Sequence, residues 1–234
     1  MRKRNILIFC IFFLCSCATA GLENVEKANA HYQLGVSYLN EDKVQMAYVE
    51  FQKAIELDPN NKDVLNALGL IYLRFDDLPK AKDSFLKAIT IDPDFSEAHN
   101  NLGGTYGKLG KWSDAVDSFK TALKNPIYKA PERAYWNLGK AYYRLHRFEE
   151  AIDAYKDAIK RSPDYYPSYY GLALCYNAKG QYGDAASAFT RAIELDPFFM
   201  GDREKAMKYF DDKRLTAKSE ESKEILDYLE IMRY

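Results

Sequence analysis

The chain has 234 residues and carries 33 lysines and arginines against 34 aspartates and glutamates, a formal charge of −1. Nothing in that balance is strongly basic, which argues against nucleic acid as a partner. At 47% hydrophobic and 15% aromatic residues, the composition also argues against a disordered chain.

The chain opens with Arg2, Lys3 and Arg4, followed by an apolar run from Ile6 to Leu14. The run is too short to span a bilayer and has the order of a secretory signal. Leu14, Cys15, Ser16 and Cys17 then resemble a bacterial lipobox, which predicts removal of residues 1–16 and lipidation of Cys17. An ordinary secretory cleavage after Ala18 or Ala20 is the competing reading. Alanine, not aspartate, follows Cys17. In a two-membrane envelope this implies sorting to the outer membrane, with the protein facing the periplasm. Of four cysteines only Cys17 and Cys175 would survive cleavage, so no disulfide is expected. Residues 17–27 read as a lipidated tether.

From Ala28 to Pro197 one pattern is written five times: a small residue, an aromatic three later, then alanine, aromatic, alanine and proline. The first copy has Gly35, Tyr38, Ala47, Phe51, Ala54 and Pro59, and the second Gly69, Tyr72, Ala81, Phe85, Ala88 and Pro93. The third has Gly103, Tyr106, Ala115, Phe119, Ala122 and an early Pro126. The fourth has Gly139, Tyr142, Ala151, Tyr155, Ala158 and Pro163, and the fifth Ala173, Tyr176, Ala185, Phe189, Ala192 and Pro197. Spacings of three, four and seven within a copy mark one face of a helix, so each copy predicts two antiparallel helices. In the first copy these run over Ala28 to Asn40 and Val44 to Leu57. A period near 34 residues resembles the tetratricopeptide repeat.

That resemblance implies an all-α fold: a right-handed superhelical solenoid of helix pairs closed by C-terminal capping helices. The repeats fall at 28–61, 62–95, 96–129, 132–165 and 166–199, with a degenerate repeat and capping helices over 200–234. It also implies that the first helix of each pair lines a groove that binds a protein or peptide. By repeat position the groove residues are Tyr32, Asn66, Asn100, Asn101, Gly104, Arg133, Trp136, Asn137, Lys140, Tyr143, Arg144, Tyr170 and Asn177. The asparagines can hold a peptide backbone, because an amide both donates and accepts. Gly104 and Gly107 leave either room for a ligand or room for tight packing. Surplus tyrosines between Tyr128 and Tyr182, beside Arg133 and Arg144, have the composition of a protein-binding hot spot, or of extra stacking between repeats four and five. No repeat has the lysine–asparagine pair of the family's carboxylate clamp.

Between the third and fourth copies the period lengthens to 36, through Asn125, Pro126, Ile127, Tyr128, Lys129, Ala130 and Pro131. This connection, with Trp136–Gly139 and the lipobox, is similar to the type IV pilus biogenesis and stability lipoproteins, the PilW/PilF group. That likeness implies a non-enzymatic scaffold that helps localise or assemble a pilus secretin. A general envelope adaptor for peptidoglycan enzymes or proteases is the alternative.

After Pro197 the pattern fades. Asp202 should cap a helix through about Phe210, Asp211–Arg214 should break it, and a last helix should start near Ser219 with Ile225, Leu229 and Met232 on one face and Leu226 alongside. His31, His99 and His146 are isolated, Glu149 and Glu150 sit at a helix start, and no metal-ligand or phosphate-loop spacing occurs. No catalytic residue, cofactor or metal is therefore expected. Self-association is left open.

Overall fold

The computed structural model describes residues 23–234, and over them the chain is helical with no strand. The expected signal peptide and Cys17 lie outside the described residues. Helix α1 covers residues 23–40. It is followed by α2 (Val44–Leu57), α3 (Lys62–Arg74), α4 (Leu78–Ile91), α5 (Ser96–Lys108) and α6 (Trp112–Ala122). Then come α7 (Pro131–Arg144), α8 (Phe148–Arg161), α9 (Tyr166–Ala178), α10 (Tyr182–Leu195), α11 (Arg203–Arg214) and α12 (Ser219–Ile231). Odd-numbered helices through α9 open the repeats and even-numbered ones close them. The chain divides into two compact units, one through Asn101 and one from Leu102.

The packing explains the marker pattern. A Cβ on Gly69 would lie 2.4 Å from Cε1 of Phe85, and one on Gly103 would lie 2.6 Å from Cε1 of Phe119. Gly35 stands in the same relation to Phe51, and Gly139 to Tyr155. The small residue is thus a seat for the aromatic of its own second helix. In the first unit this gives a core of Ala47, Phe51, Ala54, Val64, Ala67, Leu68 and Ile71. In the second unit α7 packs on α8, α8 on α9 and α9 on α10, around one core that extends from Ala115 to Met232.

The turn inside each repeat follows one design. The residue after the turn donates its N–H to the carbonyl of the first aromatic marker: Lys43 to Tyr38, Asp77 to Tyr72, Lys111 to Tyr106, Arg147 to Tyr142 and Gln181 to Tyr176, all at 2.8–2.9 Å. This six-to-one bond closes the first helix and requires a left-handed residue just before the donor. Those residues are Asp42, Asp76, Gly110, His146 and Gly180, with φ between 57° and 73°. Only two are glycine, so the other three carry strain. Replacing the exposed Asp76 by glycine is expected to stabilise the protein by about 1 kcal/mol, read as a higher midpoint of unfolding in urea.

Two boundaries and one helix face differ from expectation. Residues 23–27, placed in a tether, are already helical, and Lys27 pairs with Glu23 one turn back at 2.6 Å. Asp211–Arg214, expected as a break, continue α11, because Arg214 pairs with Asp211 at 3.1 Å and the basic residues favour the helix C-terminus. The break falls at Leu215 instead. In α12 Ile225 is buried as expected, as is Met232 just after it, but Leu226 is half-exposed and Ile231 is buried. Ile225, Tyr228 and Ile231 of the helix, with Met232 after it, cover α9, α10 and α11.

Candidate partner-binding face

In the first unit, the predicted groove residues largely serve one another. Tyr32 packs on Phe51 with ring centroids 5.8 Å apart, and burial pushes its phenol pKa up. Asn101 donates its amide to Oδ1 of Asn66 at 2.9 Å, which links the two side chains across neighbouring repeats. Asn100 is half-buried beside them in sequence.

The second unit holds an open cleft of about 390 Å³ over the end of α5, the start of α6 and α7. Its lining includes Gly104, Gly107, Lys108, Trp112, Trp136, Asn137, Lys140 and Arg144. The two glycines separate here. A Cβ on Gly107 would lie 2.8 Å from Trp112 Cζ3, so Gly107 makes room for packing. A Cβ on Gly104 would meet nothing within 4 Å, so the space above Gly104 is open. Trp136 is fixed by its indole N–H, which donates to the Pro167 carbonyl at 3.1 Å, and by an edge contact with Tyr165. Lys140 lies 5.7 Å over the Trp136 ring, and the Arg144 guanidinium 5.6 Å over Trp112. Trp136, Lys140 and Arg144 recur every four positions on α7, which aligns them on one face.

Further along, the face differs from the predicted continuous groove, because α12 covers it. Glu224 of α12 pairs with Arg144 at 3.1 Å. Tyr143 packs on Phe148, and burial followed by the nearby Asp227 and Glu224 drives its phenol pKa well up. Tyr170 is taken up by packing: its ring contacts Phe189, Phe210 and Tyr228, and its hydroxyl donates to Asp196 at 3.1 Å. Asn177 lines a second cavity of about 570 Å³ beneath α12, where its Oδ1 is buried without a donor. Arg133 is exposed and lines neither cavity. Repeat position alone could not show that a later helix would fold back over this face.

Asp227 is half-buried on α12, and burial raises its carboxyl pKa, with Glu230 and Glu224 adding to the rise and Lys223 opposing it. Ionised at neutral pH, it opposes folding, and the opposition fades as pH falls through the raised folded value towards 3.8. Asp227→Asn should therefore raise the thermal midpoint at neutral pH. The gain should shrink as acid neutralises the wild-type carboxyl, as calorimetry across that range would record.

Sequence reading missed Gly171. A Cβ there would lie 2.3 Å from Cζ of Tyr155, so the fourth repeat's tyrosine projects into the next repeat at this glycine. Gly171→Ala is expected to cost about 1–3 kcal/mol by overpacking, partly offset by better helix propensity. Tyr155→Phe should couple with it in a double-mutant cycle of chemical unfolding.

The remaining reactive side chains have structural settings. His31 Nδ1 lies 2.6 Å from Glu50, and His99 Nε2 lies 2.8 Å from the Pro93 carbonyl. Glu149 and Glu150 pair separately with Lys179 and Arg147. Cys175 is fully buried, which, with Glu149 adding to the rise, pushes its thiol pKa up to about 12 and makes it a poor nucleophile. Among the described residues no cluster fits a metal ion, and no helix is long and apolar enough to cross a membrane.

Stacked helix pairs presenting an open aromatic and cationic cleft define a helical-repeat protein of the kind that binds other proteins. Tetratricopeptide repeat models match residues 28–61, 50–83, 100–166 and 137–198, and the chain belongs to that family. No match is found among curated proteins. Among solved structures, the chain resembles PilW, described as a widely conserved type IV pilus biogenesis factor, at 26% identity. That match covers 85% of this chain and 98% of PilW, with a TM-score of 0.68. PilF of Pseudomonas aeruginosa matches at 23% identity over 87% of this chain and 98% of its own, also with a TM-score of 0.68. A MamA protein matches at 25% identity over 73% and 92%, with a TM-score of 0.62.

Proposed function

We propose that this chain is a non-enzymatic scaffold lipoprotein, anchored through Cys17 at the outer membrane, that assists type IV pilus biogenesis by holding a segment of a pilus secretin. The observation that carries the binding role is the open cleft at Gly104, bordered by Trp112, Trp136 and Lys140. The likeness to PilW over nearly the whole of that protein supports the pilus assignment. The lipobox supports the anchor, since several acyl chains hold a protein where one does so only marginally.

Two experiments test the two halves separately. Metabolic labelling with an acyl-chain probe should mark the wild-type protein and not Cys17→Ser; equal labelling would remove the anchor. Capture of the secretin's periplasmic region by the purified chain should fall when Asn137 and Lys140 are both changed to alanine, while the unfolding free energy stays within about 1 kcal/mol of wild type. Undiminished capture would remove the cleft from the binding role.

A further inference from the structure

The cleft's charge and its neighbour indicate what it binds. Lys108, Lys140 and Arg144 border it and no carboxylate lines it, although the chain as a whole is slightly acidic. Lys108 and Lys140 form no ion pair with any described residue. Lys140 is held over the Trp136 indole, which places its cation at the cleft without neutralising it, whereas Arg144, over Trp112, is already paired with Glu224. Beside the cleft, α12 is a seated example of a ligand. It is an acidic amphipathic helix that buries Ile225, packs Tyr228 against the core and sets Glu224 on Arg144.

We infer that the cleft docks an acidic amphipathic segment of another protein, its carboxylates on Lys108 and Lys140 and an apolar side chain against Trp112 and Trp136. The inference rests on the reading of this face as a partner-binding site and adds the partner's chemistry. The open backbone at Gly104 lets such a segment approach closely, and the two indoles supply rigid apolar surface. The Lys108 contact is at an exposed rim, so it should steer association and weaken with salt.

Trp112 and Trp136 are the only two tryptophans in the chain, so intrinsic fluorescence reports on this cleft directly. The test titrates the full chain in detergent with a blocked peptide carrying leucine and glutamate at helical spacing. Matched peptides carry glutamine or lysine in place of glutamate. The expected result is a saturable fluorescence change with the glutamate peptide, weakened by salt, and weakened roughly tenfold in Lys108→Glu/Lys140→Glu with its unfolding midpoint unchanged. Equal binding of the glutamine peptide would overturn the acidic preference while leaving the cleft as a binding site. Absence of any fluorescence change, or equal affinity in the double variant, would overturn the inference. The fate of the broader reading is then decided by secretin capture, which does not depend on these peptides.

Discussion

Phe85→Ala is expected to destabilise the protein by about 3–5 kcal/mol, the loss typical of a large buried aromatic. Phe85 is fully buried, and it is seated on Gly69 at a distance that a single Cβ would close. That geometry limits recovery. The surface facing the vacated ring is glycine, which has no side chain to move in, so the cavity persists. Because repeats draw stability from their neighbours, the loss should concentrate locally. Hydrogen exchange should quicken most along α3 and α4, and the urea midpoint should fall. Phe85→Leu, which refills part of the space, should recover a substantial share. An alanine variant within 1 kcal/mol of wild type, by the same measure, would show that the glycine seat is not a main source of repeat stability.

Ending the chain after Ala217, which removes α12, carries the second large effect. Ile225, Ile231 and Met232 are all nearly inaccessible, and burying each such side chain stabilises by about 1.5–3 kcal/mol. Discounting for residual burial in the unfolded chain, the truncation should cost about 5 kcal/mol. It also uncovers Tyr170, Phe189 and Phe210, an aromatic cluster that now packs on Tyr228. Arg203, which donates to the Met232 carbonyl, loses its acceptor. The expected readout is a lower thermal midpoint with binding of a hydrophobic dye, and exchange protection lost first in α10 and α11. Unchanged stability would mean that α12 lies on the protein without supporting it.

Most of the fold was legible because the repeat writes the same packing problem five times. The spacing of Gly69 and Phe85 encodes the contact that holds them together, and four further copies remove ambiguity. The left-handed turn residues were equally periodic, but Asp42, Asp76 and His146 disguise a position that Gly110 and Gly180 state openly. The binding face was legible only in part. Gly104, Trp136 and Lys140 do meet at an open cleft. Tyr170 does not remain available, and Tyr143 and Arg144 face α12, because contacts with a helix far later in the chain leave no local periodicity. Gly171 was hidden for a similar reason. Its partner Tyr155 belongs to the previous repeat, and only the extra reach of a tyrosine where other copies have phenylalanine hinted at it.

The proposed place where a partner protein is held is the cleft over α5–α7. A photoreactive side chain placed at Lys108, on the cleft rim, and in a second strain at Asp153, on the exposed face of α8, tests it in living cells. The expected result is a cross-link to the secretin subunit from position 108 and none from position 153. Cross-linking from 153 alone, or equally from both, would contradict it.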